Sequence, residues 1–434
     1  MSSEPQCVVS GALSLVLRMS QLAGVAPLSF QKVRGGWRVR VSPAASLYGR
    51  LLGFILCFMS MAAIAIDICY QPENSFRTRT NSSRVVWVAD VGVVGLVVGT
   101  ATFTGLNRMR SFTSYLLQLQ KINVKLSYYY PKQSQERTQK LIVVSSMSLT
   151  VFTIFLDYGI FIYHVVTENK KVALSSLYIF YNVSQVVLQI ILLQFSQIAT
   201  CVYLSVETLN NCLKNMLQEV LNNSSDKNHL ITQKENRINL YNYNISFKTI
   251  NSVIDSMTTC QAGSVEPLKS SPYAIRCLAL AYCSICDVVR QVNDSFGLVL
   301  VALLLSLLLH LVITPFHVIT NISCSIVNAA SSDCSSPSLQ VNWAVMHFSN
   351  LMLIIEPCHK THEEMELTKQ LISQMSRFTA PGHEALLDEL KMFFRHLMMN
   401  DFTYAPLKLF PLNRMLIVTI LGSITTYLVV MIQL

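Results

Sequence analysis

The chain has 434 residues, of which 52% are hydrophobic and 13% charged, with a mean hydropathy of +0.43 and a formal net charge of +9. That composition lies outside the range of soluble globular domains and indicates a polytopic membrane protein, whose spans must satisfy their own backbone as helices or a closed barrel. The positive balance does not call for nucleic acid, because basic residues gather beside membrane ends, where anionic leaflets attract them.

A hydrocarbon core of about 30 Å takes roughly 20 apolar residues at 1.5 Å each. Runs of that kind are predicted at 47–69, 86–105, 141–166, 174–206, 296–322, 341–356 and 415–433. The sixth is the shortest and contains His347 and Asn350, so by length alone it also reads as a re-entrant or partly buried helix. The first 40 residues lack the basic, apolar and small-residue succession of a cleaved signal peptide.

Of the 33 Lys and Arg, all but Arg77, Arg79, Arg84, Lys170 and Lys171 fall in the N-terminal segment or in the second, fourth and sixth connections. Positive charge accumulates on the cytosolic side, so the N-terminus is expected inside and the C-terminus outside. This is opposite to the G-protein-coupled receptors. The expected fold is an all-α membrane protein with seven transmembrane helices and cytosolic helical extensions. Its organisation is a cytosolic segment over 1–46, helices one to four over 47–207, and cytosolic extensions over 208–295 with a flexible linker at 221–272. Helices five and six follow over 296–356, cytosolic helices over 357–413, and a seventh helix over 414–434. The linker is rich in Asn, Ser and Lys. Around it, Leu209, Leu213, Met216 and Leu217 show helical spacing. So do Leu367, Leu371, Met375, Leu386, Leu390, Phe393 and Leu397, with a break at Pro381-Gly382.

Cys324 and Cys334 share the outer fifth connection and can pair with each other or stay free. Asn81-Ser82-Ser83 is a glycosylation sequon on the predicted outer side; Asn321-Ile322-Ser323 is another, close to the bilayer. No catalytic constellation is present. Cys283 and Cys286 have redox or zinc spacing, but no second CxxC accompanies them; Cys358, His359 and His362 lack a fourth ligand. The chain is read as non-enzymatic, with no cofactor and no metal.

Asp90 and Asp157 lie inside spans two and three, with no Lys or Arg at membrane depth to neutralise them, which favours hydrogen bonding to Tyr, Ser, Thr or backbone groups of neighbouring helices. A second polar group gathers toward the outer halves of spans four to six: Tyr178, Tyr181, Asn182, Gln185, Thr314, His317, Gln340, Trp343 and His347. Gln340, Trp343 and His347 follow helical steps, which sets an aromatic plate and two hydrogen-bonding groups on one face. Two readings stand side by side. One is an interfacial aromatic belt. The other is a sugar site, where C–H faces stack on the ring and hydroxyls are bonded singly.

The chain closes with Thr426-Tyr427, five apolar residues, Gln433 and Leu434. A Thr-Tyr-five-apolar-Gln pattern at the end of a seventh span resembles the insect gustatory receptors, whose motif continues with Phe where this chain has Leu434. Asn293 to Gly297, Leu309 to Thr314, His347-Phe348 and Ile355 to His359 are similar to the fructose-receptor branch of that family. Asp90 and Asp157 also fall where that branch has them.

The resemblance implies a homotetrameric, sugar-gated, non-selective cation channel in the plasma membrane. Its pore would be formed by the seventh helix, with Thr426, Tyr427, Ile432, Gln433 and Leu434 on the permeation path. The ligand would be a small-molecule sugar, fructose first, with Gln340 and Trp343 as pocket residues on the sixth helix and Thr314 on the fifth. Tyr178 and Tyr181 stand near Leu177, where that branch has an aromatic residue. Two other classes remain: a secondary sugar transporter using Asp90 and Asp157, against which the odd helix count and absent repeats weigh, and a heptahelical receptor of opposite orientation.

Overall fold

The computed structural model describes residues 7–33, 35–70, 81–127, 135–167, 177–231, 271–327, 337–379, 383–400 and 403–433. The chain is nearly all helical, with one addition that the sequence reading did not contain. The N-terminal segment holds α1 (Gly11–Leu22) and a small antiparallel sheet of β1 (Val8–Val9), β2 (Leu28–Val33) and β3 (Gly36–Val41), in the order β1-β3-β2. The register pairs Leu28 with Val41, Phe30 with Val39 and Lys32 with Trp37. Because strand side chains alternate, Leu28 and Val39 turn inward together and are buried. Gly36, at φ 158°, lies so close to β1 that a Cβ would meet the Val9 carbonyl oxygen at 2.5 Å. The Arg18 guanidinium covers the Trp37 ring at 3.4 Å.

Seven helices lie over the seven apolar runs: α2 (Pro43–Tyr70), α3 (Asn81–Phe103), α5 (Glu136–Thr167), α6 (Tyr178–Ile231), α7 (Pro272–Val327), α8 (Pro337–Phe378) and α10 (Arg414–Gln433). Among the described residues, five of these (α2, α3, α5, α6 and α7) are long and apolar enough to cross a membrane. The apolar stretch of α10 is shorter, Arg414–Val430. Helix α8 falls outside the set, since Asn342, His347, Asn350 and Glu356 interrupt its apolar surface. Helices α6 and α7 have 54 and 56 residues. At 1.5 Å per residue each is about 80 Å long, far more than a hydrocarbon core needs.

The second connection contains α4 (Gly105–Ser127), which buries Phe112, Leu116, Leu119 and Ile122 at three- and four-residue steps. Arg108 of α4 is buried as well, and its Nη2 donates to the Val25 carbonyl at 2.7 Å. Its guanidinium also lies over the Phe296 ring, 5.2 Å from the centroid. Among the described residues no carboxylate pairs with it, and burial pushes the guanidinium down to about 10. The amphipathic α9 (Glu384–Met399) buries Leu386, Leu390, Phe393 and Leu397 against α7 and α8.

Helix α6 is central. It packs against α1, α2, α3, α4, α5, α7 and α8. Helix α10 is peripheral: it rests on α7 and α8 through Ile417 and Ile424 and turns Met415, Val418, Leu421 and Val429 outward. Residues 232–270, which hold most of the expected linker, lie outside the described residues, as do Cys334, Pro381, Gly382 and Leu434. So do the side chains of Asn81, His317, Cys324, Ile432 and Gln433.

Candidate functional site

Helices α3, α6, α7 and α8 bring their polar residues to one place. The Asp90 carboxylate of α3 accepts a 2.7 Å hydrogen bond from Tyr181 Oη of α6 and lies 2.8 Å from His310 Nε2 of α7. Gln185 Nε2 donates to Tyr181 Oη at 2.7 Å, and the other His310 ring nitrogen lies 2.6 Å from the Ser306 carbonyl. The side chains of Asp90 and His310 are 11% and 8% exposed, so the pair is effectively removed from solvent. The sequence leaves Tyr, Ser, Thr and backbone groups open as partners of Asp90, and in the structure its hydrogen-bond donor is Tyr181. Not foreseen from the sequence is His310, an ionisable partner set in a run of leucines.

An aromatic column stands beside this network. His310 and His347 face each other with centroids 4.3 Å apart, and Trp343 stacks on His347 at 5.4 Å and 19°. On α6, Tyr178 and Tyr181 stack at 5.2 Å, and both meet the edge of Trp87 of α3. Tyr178 Oη reaches Asp157 Oδ2 of α5 at 3.4 Å. Tyr178, Tyr181, Trp343, His347, Asp90 and Asp157 are therefore brought together. Thr314 is buried one turn beyond His310 on the same face of α7. Gln340 is half-buried at the start of α8, one turn before Trp343.

Adjoining the column is a crevice whose lining includes Gln185, Gln189, Ser306, His310, Met346, His347 and Asn350. In this conformation it is too narrow for a sugar ring. Gln189 Oε1, His347 Nδ1 and Asn350 Nδ2 are buried without a hydrogen-bond partner among the described residues. Buried polar atoms without partners are costly. An acceptor and a donor left open beside a flat aromatic face fit a neutral molecule carrying several hydroxyls.

The path from this site to α10 is also well defined. Asn293 Nδ2 of α7 donates to the Thr403 carbonyl at 2.9 Å. Leu407 and Lys408 take left-handed φ values of 50° and 58°, and a Cβ on Gly297 would meet Leu407 N at 3.1 Å. Tyr404 is buried edge-on against Phe195, which in turn contacts Phe296. Asn413 Oδ1 then accepts from Leu416 N at 3.2 Å and caps the start of α10. Within α10, Thr426 Oγ1 donates to the Gly422 carbonyl at 2.9 Å, and Tyr427 is 48% exposed. Among the described residues no cluster suits a metal ion.

Residues 13–434 match the family described as 7tm chemosensory receptor. The gustatory receptor for sugar taste 43a of Drosophila melanogaster is 22% identical over 426 residues, 96% of each chain. Among solved structures, the insect olfactory receptor OR5 from Machilis hrabei has a TM-score of 0.58 at 10% identity, covering 97% of this chain and 96% of that one. The same receptor in complex with eugenol has a TM-score of 0.50 at 9% identity, over the same shares. At such identities the likeness speaks for the fold.

Proposed function

The chain belongs to the 7tm chemosensory receptor family, and from that premise we propose that it is a sugar-gated, non-selective cation channel of the plasma membrane. The observation that carries the proposal is the crevice, where open polar atoms of Gln189, His347 and Asn350 adjoin the His347 ring, on which Trp343 stacks. The full-length likeness to a receptor for sugar taste supports a sugar, with fructose the first candidate; another tastant is the alternative within the same class.

Trp343 would stack on the sugar's C–H face. Gln340, His347 and Thr314 would bond its hydroxyls, with Tyr178, Tyr181 and His317 at the rim. Since the crevice has no room for the ring in this conformation, binding must part α6, α7 and α8. A ligand shifts gating only through its differential affinity for the two arrangements, so that parting is where the sugar can act. Four copies of α10 would form the pore, covering the outward apolar side chains that one chain leaves bare. Thr426 and Tyr427 would lie on the path, and Ile432, Gln433 and Leu434 would form its outer ring. The apolar wall would keep the closed pore dry. The N-terminus would be cytosolic, with Asn81 glycosylated outside.

The test is whole-cell current from the chain expressed alone, during perfusion with fructose and then other sugars, polyols and bitter compounds. A fructose-evoked cation current is expected, and Trp343→Ala should abolish it with surface expression intact. A chloride current, or an unchanged dose response in the Trp343 variant, would refute the reading. The buried Asp90–His310 pair also suits a proton-coupled secondary sugar transporter; sugar uptake without current would select that alternative.

A further inference from the structure

Arg414 sits in the first turn of α10, where a cation opposes the positive end of the helix macrodipole. A partner offsets that placement. Arg414 Nε lies 3.2 Å from Glu356 Oε2 of α8, and Nη2 lies 2.8 Å from Oε1, a two-pronged contact. Glu356 Oε1 also has a second cation near it, Lys360 Nζ at 3.6 Å, one turn along its own helix. One carboxylate thus stands between two cations, of which only Arg414 belongs to α10. Pro357 follows immediately; it has no N–H for the Leu353 carbonyl and crowds it, so α8 bends most easily beside this contact. Trp343 and His347 are on the same helix, within about four turns.

We propose that Glu356 is a positioning residue for gating: in the resting arrangement its carboxylate holds Arg414 and thereby α10, and on opening it passes to Lys360. The inference rests on the reading of α10 as the pore helix. The side chains of Arg414, Lys360 and Glu356 are 52%, 48% and 28% exposed. Solvated pairs of this kind are weak and nearly exchangeable. The difference between them therefore falls within what ligand binding can supply. The crevice, closed in the same structure, identifies the Arg414 pairing with the unliganded arrangement.

The experiment compares Arg414→Gln and Lys360→Gln in the full chain, with surface expression, ligand-free current and the tastant dose response measured for each. R414Q removes the resting partner, so ligand-free current should rise and the half-maximal concentration fall by about two- to five-fold. K360Q removes the open-state partner, so the half-maximal concentration should rise by a similar factor. A merely structural role would move both variants in the same direction. Shifts of the same sign, or no shift in either, overturn the exchange while leaving the channel reading intact. Absence of any ligand-evoked current in the wild type overturns both.

Discussion

Replacing Asp90 with Asn keeps the side chain's shape and removes its charge together with one of its two acceptor oxygens. Tyr181 Oη donates to one oxygen at 2.7 Å, and the other lies at ion-pair distance, 2.8 Å, from His310 Nε2. An amide can accept from one of these two groups only; its NH2 must face the other. Leaving a buried donor unpaired costs about 1–3 kcal/mol. Couplings between polar side chains measured within membrane bundles are lower, on the order of 0.6 kcal/mol with a maximum near 1.7, because the unfolded chain also finds partners in the bilayer. Here a buried imidazole additionally loses its carboxylate, and breaking a buried pair by removing one member costs about 3–5 kcal/mol. These bounds place Asp90→Asn near 3 kcal/mol of lost stability. His310→Gln should cost about the same. The double variant leaves two amides able to bond each other, so its loss should fall at least about 1 kcal/mol short of the sum, the signature of direct coupling. The assay is thermal melting of the detergent-solubilised protein, followed by size-exclusion fluorescence. An Asp90→Asn midpoint equal to wild type, or strictly additive losses, would refute the account of the network.

Gly297→Ala should lower the apparent Tm by the equivalent of about 1–3 kcal/mol, because the new methyl meets the backbone nitrogen of Leu407 at 3.1 Å, which cannot swing aside as a side-chain tip can; an unchanged Tm would disprove that tight approach. Arg108→Met removes the donor to the Val25 carbonyl, so limited proteolysis near residue 25 should accelerate while the helical far-UV signal persists. Equal cleavage rates would show that Arg108 does not fasten the N-terminal unit. Cys69 is exposed near the end of α2 whereas Cys7 is buried, with its thiol pushed up to about 11 by that burial. In a background with Cys324 and Cys334 replaced by Ser, an impermeant maleimide should therefore label intact cells through Cys69, with the signal lost on adding Cys69→Ser, and Cys7 should remain unlabelled even after permeabilisation. Labelling of Cys69 only in permeabilised cells would invert the proposed orientation.

The long helices were legible because hydropathy summed over some twenty residues outweighs any single side chain. The amphipathic α9 could be read for a related reason: Leu386, Leu390, Phe393 and Leu397 recur at three- and four-residue steps. The sheet gave no such signal, since β1 has two residues and β3 alternates Trp37, Val39 and Val41 with two arginines that read as membrane-flanking charge. Helix α4 was obscured in the same way by its Lys, Arg and Gln. Within the site, Trp343 and His347 were visible as steps along one helix. The contact from Tyr181 to Asp90 joins residues 91 positions apart, and nothing local encodes it. His310 carried a usable signal, an ionisable group at membrane depth. Glu356 and Arg414 carried none, for their pairing depends on how α10 rests on α8.

Helix α6 buries Asn182, Gln185, Gln189, Gln194 and Gln197, so it cannot remain in lipid as a free segment without leaving amides unbonded. Its partners lie on both sides of it in sequence: Asp90 and Ser146 are synthesised earlier, His310 later. The chain thus carries a requirement on its own biogenesis. Gln189 can meet Ser146 as soon as α6 is made, whereas Gln185 meets His310 only once α7 has emerged.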